Sequence, residues 1–439
     1  MSAAQQYIEQ YKGLADALPG QNLPWLNSIR RLALGSFAAS GFPSPREEEW
    51  KYTNVSALEK KRFQPLAPSA AQPLDAAWLE THKLADAWVL VLLDGRFEPG
   101  LSVLEGLPES VVLTGLSAAL QSHGDQVKRL LGATLGRESH GFLAFNTAYF
   151  SDGAFIDIPA GMVLEKPLQI LHVSTRNEAL ANTRSLVNLA ANASAKLVET
   201  FAGAAGAGYL TAAVTEIQLG ENAGLDHYKV QAESDKAYHF GGVYASQATA
   251  ARFKQYNLSF GALLARHEIH AELARGGDCE LNGLFLAKGR QHVDNHTLIH
   301  HAEPYGTSRE TYRGVLADRA RGVFQGRIVV HPKAQKTSAE MNNRNLLLSE
   351  DAEIDAKPQL EILADDVKCS HGVAVGQLDP ESVFYLVSRG VDTETAKNML
   401  TFAFANEMVE KIGLDSLRTQ AQAHLLDLFP QTGIRRDWL

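Results

Sequence analysis

A thiol and an imidazole two residues apart are the pair in this chain best suited to chemistry. The segment Asp365-Asp366-Val367-Lys368-Cys369-Ser370-His371-Gly372 sets Cys369 and His371 at i and i+2. On a strand alternate side chains share a face, so Asp365, Val367, Cys369 and His371 fall together. Soft sulfur and imidazole nitrogen suit iron, zinc and iron–sulfur centres. Two ligands do not complete a tetrahedral site. Either a partner supplies the rest, or the pair is a core cysteine beside a hydrogen-bonded histidine.

A second group is His292, His296, His300 and His301. Even spacing on a strand puts His292, His296 and His300 on one face. Such a row fits metal ligation, and it equally fits a solvent-facing or hydrogen-bonded row. His267-Glu268-Ile269-His270 is one residue too short for the HExxH zinc motif, and its surroundings are not helical. No GxxxxGK(S/T) phosphate loop is present. Glycosidase chemistry needs two acids across a sugar cleft, which spacing alone does not place. An aromatic content of 8% gives no surplus for sugar stacking.

The elements that must position these residues are announced by a period. Ala195-Lys196-Leu197, Ala223-Gly224-Leu225, Ala251-Arg252-Phe253 and Cys279-Glu280-Leu281 begin 28 residues apart, and Tyr228 and Tyr256 repeat in phase. A fixed period of this size marks a stacked-repeat architecture. Within each unit polarity alternates with period two, as in Leu225-Asp226-His227-Tyr228-Lys229-Val230. Strands stacked on themselves about 4.8 Å apart make a parallel β-helix. The period predicts that Ala195, Ala223, Ala251 and Cys279 stack, with Leu197, Leu225, Phe253 and Leu281 in one inward column.

The chain has 439 residues, 45% apolar, with a mean hydropathy of −0.15, enough for a large core and two or three domains. A formal net charge of −9 argues against nucleic acid or an anionic membrane surface as partner. Two cysteines, Cys279 and Cys369, argue against a disulfide framework and suit a reducing cytoplasm. Met1-Ser2-Ala3-Ala4-Gln5-Gln6 has neither a basic start nor an apolar run, so no signal peptide is expected. The uncharged stretch Phe201 to Thr215 is too short to span a bilayer.

Along the chain, Tyr7, Ile8, Tyr11 and Leu14, then Trp25, Leu26, Ile29 and Leu32, recur at helical spacing. Pro65 to Pro73 reads as a linker. Strand character starts at Trp88 and dominates from about Phe142 to Val375. Asp379-Pro380 and Asp392 are helix starts, the first helix ending at Gly390. Ala396, Met399, Leu400, Ala403, Phe404 and Met408 suggest one apolar helical face. A third helix is expected over about 417–428. The expected fold is mainly β: a right-handed parallel β-helix flanked by N-terminal and C-terminal helical regions. Residues 1–80 form the helical region and linker. Residues 81–376 form the β-helix core with a helical insertion near 113–135, and 377–439 the C-terminal helical domain. The tail is expected to add little to the stability of the coils.

The stretch Lys357-Pro358-Gln359-Leu360-Glu361-Ile362, the Asp365–Gly372 segment, Phe384-Tyr385-Leu386 and Ser388-Arg389-Gly390 resemble the C-terminal signature of the SufB/SufD family. Phe324-Gln325-Gly326-Arg327-Ile328, Asn345-Leu346-Leu347-Leu348-Ser349 and Asp294-Asn295-His296-Thr297 are similar to it too. Pro45-Arg46-Glu47-Glu48-Glu49-Trp50-Lys51-Tyr52-Thr53 resembles the SufD branch, as does the poverty in cysteine. The resemblance implies a non-catalytic, cytoplasmic scaffold for iron–sulfur cluster assembly, implicated in admitting iron. Its implied partners are a SufB-like paralogue, pairing β-helix to β-helix, and a SufC-like ABC ATPase docking on the C-terminal helices, with a homodimer in isolation. It implies that His371 and Cys369 belong to a shared interface site for iron or a nascent cluster. Phe384, Tyr385, Arg389, Met399 and Phe404 are the implied partner-binding residues. Two rivals are a β-helical carbohydrate-active enzyme and a purely structural homodimer.

Overall fold

Alternating polarity does build a solenoid. The computed structural model describes residues 3–65, 75–135 and 140–428. From Ala154 onward, successive strands alternate between a nine-stranded and a ten-stranded sheet and pair in parallel with the strand two places away. The result is a parallel β-solenoid of about eight coils. One continuous apolar cluster, from Trp88 to Ala364, runs between the sheets. The stretch read as a linker, Pro65 to Pro73, lies almost wholly outside the described residues.

The predicted column is correct in its facing and wrong in its register. Leu197, Leu225, Phe253 and Leu281 are all buried in the cluster between the sheets. Leu225 pairs with Phe253, as the 28-residue period requires. Ala195, however, pairs with Leu225, and Phe253 pairs with Cys279. The cause is unequal coil length. Each coil turns at a residue of positive φ: Asn192, Asn222, Ala250, Gly276, Tyr305 and Lys336, at spacings of 30, 28, 26, 29 and 31 residues. The amide of each of these six donates to a carbonyl in the next coil, so the ladder continues through the turn. Around the predicted repeat the spacing changes in steps of two, which preserve the pleat. Every inward residue there stays inward while its partner changes.

Helices cover both outer faces. Helices Ala3–Leu14 and Pro24–Ser40, with the segment around Trp50, lay Tyr7, Phe37, Phe42, Trp50 and Phe63 against Tyr238, Phe240 and Leu264 of the nine-stranded sheet. The insertion helices run Leu116–Ser122, Gly124–Leu130 and Gly141–Tyr149, so the continuous run of strands begins after Tyr149 rather than at Phe142. On the ten-stranded sheet, helices Thr393–Val409 and Asp415–Leu428 cover Tyr228, Val230, Tyr256, Leu258 and Leu284. The tail is therefore part of the core, contrary to the expectation that it adds little. Its buried stripe is Phe402, Ala405, Met408 and Val409, with Ala396; Ala403 faces solvent. Helix Thr393–Val409 carries two candidate apolar stripes, and the sheet beneath selects between them.

Candidate functional site at the open end of the solenoid

The two last strands set the site. Among the described residues Glu353–Ile362 pairs only with Arg321–Val330, and Lys368–Gly376 only with Ser338–Leu347, so each leaves one backbone edge open there. Pro358, which has no N–H to donate, sits in the first of these, as edge strands allow. Register carries the inward face of the coil below into both strands. Ala339 and Met341 are buried inward residues, and their partners are Cys369 and His371. Phe324 and Ile328 are likewise inward, and their partners are Ala356 and Leu360.

No further coil covers these residues among those described. Leu360 and Cys369 are half-buried against the core, while Ile362, Leu363, Val373 and Val375 are 42%, 52%, 40% and 49% exposed. The solenoid thus ends on an uncovered cross-section of its own core. Cys369 and His371 share one face of the last strand, as their spacing predicts, with His371 exposed. Burial raises the Cys369 thiol above its ordinary pKa, and a backbone hydrogen bond from Ala339 partly offsets this. A metal bound there must displace a proton held more firmly than usual. Among the described residues no three His, Cys, Asp or Glu side chains converge on one point. An ion at Cys369 and His371 therefore needs further ligands from elsewhere.

Beside this end stands helix Pro380–Ser388, capped by Asp379, whose carboxylate accepts from the amides of Glu381 and Ser382. None of its residues is buried. Phe384 and Tyr385 are 71% and 58% exposed, and the Arg389 guanidinium lies 5.1 Å from the Tyr385 ring centre. The other two residues of the implied partner set sit differently. Met399 is half-buried. Phe404 packs against the tail core, its carbonyl accepts from Arg313 at 2.7 Å, and the same guanidinium lies 4.8 Å from its ring centre.

The histidine row is outward-facing and divided in use. His292 contacts Thr53 Oγ1 at 3.0 Å, and His296 meets Asp294 at 2.9 Å and Glu49 at 3.5 Å. Asp294 also accepts from Thr53 and from Arg266. These contacts clamp the Glu49–Thr53 segment onto the sheet. His300 stands apart, 3.2 Å from His331. In the HExxH-like stretch, His267 is buried inside the solenoid and bonds Ser259, while His270 lies in an outer groove. The two cannot share an ion.

A group of residues not singled out from the sequence lies inside the coils. Glu199 accepts from His227 at 2.9 Å with His172 at 3.6 Å. Glu233 meets Thr211, Gln231 and His239. Burial raises Glu233 to about 7 and lowers Lys229 to about 8. Burial opposes ionisation of Glu199, yet the hydrogen bond from His227 and the neighbouring His172 imidazole hold it well below the usual carboxylate range. The signal was present: His227 and Lys229 occupy the inward parity of a strand whose alternation is plain.

Comparison with known proteins agrees with this geometry. Residues 172–404 match the family described as SUF system FeS cluster assembly, SufBD core domain, and residues 1–170 match the SufBD protein N-terminal region. The chain is 33% identical over 391 residues to the iron–sulfur cluster assembly SufBD family protein slr0076 of Synechocystis, covering 86% of this chain and 85% of that one. It is 32% identical over 405 residues to the iron–sulfur cluster assembly protein SufD of Escherichia coli, covering 89% and 90%. Against SufD of Bacillus subtilis it is 24% identical over 436 residues, 96% of each chain. This chain belongs to the SufBD family of the SUF iron–sulfur cluster assembly system.

Proposed function

We propose that the chain is a non-catalytic, cytoplasmic scaffold of the Suf machinery, working with a SufB-like paralogue and a SufC-like ATPase. The observation that carries this reading is the uncovered core at the solenoid end, with His371 exposed on its inward face. A second β-solenoid fits such an end because open strand edges and apolar side chains are satisfied together. His371, and Cys369 behind it, then contribute to iron or a nascent cluster whose remaining ligands come from the paralogue. Without the paralogue, a second copy occupies the same face. The ATPase docks on helix Pro380–Ser388, with the exposed Phe384 and Tyr385 as anchors. ATP-driven motion there opens and closes the shared interface.

Deleting the whole tail is not a clean test, because helices 393–428 cover the coils. Point variants are. Ile362→Glu with Val373→Glu should abolish co-purification of the paralogue while the far-ultraviolet spectrum stays unchanged. Phe384→Ala with Tyr385→Ala should lose the ATPase and keep the paralogue. Normal assembly of both variants with both partners would overturn the proposal.

A further inference from the structure

A seam of polar side chains runs lengthwise through the apolar interior of the solenoid. It starts at Glu233, buried close to the exposed turn residue Asp235, and ends at the buried Glu310. Gln231 donates to the Glu233 carboxyl at 3.0 Å, Ser259 donates to Gln231 at 3.1 Å, and Ser259 Oγ lies 3.0 Å from His267 Nε2. Asn257, on the same inward face of strand Arg252–Ser259 as Ser259, donates to Asn295 at 2.9 Å. Thr297, on the same inward face of strand His292–His301 as Asn295, donates to Glu310 at 2.6 Å. Beyond Glu310 the inward column continues as Met341 and then His371, so an apolar side chain closes the seam beneath the open end.

Direct bonds break in two places, between Ser259 and Asn257 and between Asn295 and Thr297. Same-face neighbours on a strand stand about 6.6 Å apart, a span that one water bridges. Unmet polar atoms accompany the breaks. Asn257 Oδ1, Asn295 Nδ2, His267 Nδ1, Glu310 Oε2 and both side-chain amide atoms of Gln255, the inward neighbour of Asn257, are buried with no hydrogen-bond partner among the described residues. In folded proteins such groups are satisfied by ordered water. Burial raises Glu233 to about 7 and Glu310 to about 8, so both ends of the seam hold a proton at pH 6.

We propose that ordered waters fill these breaks and make the seam a proton path from the surface turn at Asp235 to the Glu310 carboxyl. Gln231, Asn257 and Asn295 hold the waters in place. The proton moves along water oxygens and hydroxyls, each passing one proton on as it receives another, so only O–H bonds form and break.

The test is infrared spectroscopy of the full-length chain transferred to heavy water at pH 6. The protonated-carboxyl C=O band removed by Glu310→Gln reports the inner end of the seam, and the one removed by Glu233→Gln the outer end. Both bands should shift to their deuterated positions at least roughly a hundredfold sooner than the amides of strands Asp278–Ala287 and Thr307–Leu316 exchange, because those amides exchange only when the coils open. Asn257→Leu/Asn295→Leu replaces both partners of one bond with apolar side chains of similar size, so the fold and its amide protection should persist. In that variant the Glu310 band should slow to the pace of the amides, while the Glu233 band still shifts early. The proposal is overturned if the wild-type Glu310 band shifts together with the surrounding amides, or if no such band exists at pH 6. It is also overturned if Glu310 still exchanges early in the folded Asn257→Leu/Asn295→Leu variant.

Discussion

Trp50 is the residue on which attachment of the N-terminal segment turns, and replacing it should loosen that segment without melting the solenoid. The indole is 2% exposed. It stacks on Phe142 at 5.4 Å and Phe240 at 6.2 Å, and the Arg266 guanidinium lies 3.7 Å from its ring centre. Arg266 is itself buried between Glu268 and Asp294. Truncating a buried Trp to Ala costs about 3–5 kcal/mol. Of this, a desolvated cation–π contact accounts for about 2 kcal/mol. The loss falls on local opening of the segment, because Glu268 and Asp294 still hold Arg266 in place. The Trp50 amide bonds the Glu47 carbonyl, and the Thr53 amide bonds Trp50. Hydrogen exchange of these amides should accelerate by roughly two to four orders of magnitude in Trp50→Ala, for an opening free energy reduced by that amount. Trp50→Phe keeps an aromatic ring and should show a smaller acceleration. Amides of strand Tyr238–Gln247 should be unaffected. Unchanged exchange at Trp50 and Thr53 would refute the reasoning.

The same clamp should depend on pH. Burial opposes ionisation of Asp294, but His296 and Arg266 depress its pKa, so its contribution is full above about 3.9 and is lost as pH falls through the lower folded value. Burial and Arg266 oppose charging of His296, but Asp294 and Glu49 raise its pKa on balance. Its contribution is full below about 6.5 and is lost as pH rises through the higher folded value. Exchange protection at Thr53 should therefore peak between about pH 4 and 6.5. Inside the solenoid, burial raises Glu310 to about 8, so ionising it opposes folding as pH rises from its unfolded value toward 8. Glu310→Gln should raise the melting temperature relative to wild type at pH 8 and change it little at pH 4. Burial raises both thiols, Cys279 far more than Cys369. Alkylation at neutral pH should be slow at Cys369 and should reach Cys279 only on unfolding, as peptide mass mapping would show.

How legible this was in the sequence follows from the range of the interactions. The solenoid was readable because polarity alternation is local and the small-polar-apolar strand motif recurs every 28 residues. Its register was not, because the coils differ by two residues and alternation is blind to such a step. The tail helices announce themselves through Asp379, Pro380 and Asp392, which cap as local rules demand. Which face of helix Thr393–Val409 is buried depends on Tyr228, Tyr256 and Leu284, far away in the chain. Cys369 and His371 were correctly placed on one strand face, since that needs only parity. The clamp joining Thr53 to Asp294 spans 241 residues, and the pairing of Glu199 with His227 crosses a whole coil. Neither leaves a short-range trace.

The central claim is that this chain lends His371 to a metal site completed by its paralogue. Its most direct test is the iron and acid-labile sulfide content of the complex assembled in cells with both partners, compared between wild type and His371→Ala. Subunit ratios should be the same in the two preparations, and the variant should carry several-fold less iron and sulfide per complex. Full iron and sulfide in the His371→Ala complex would contradict the claim.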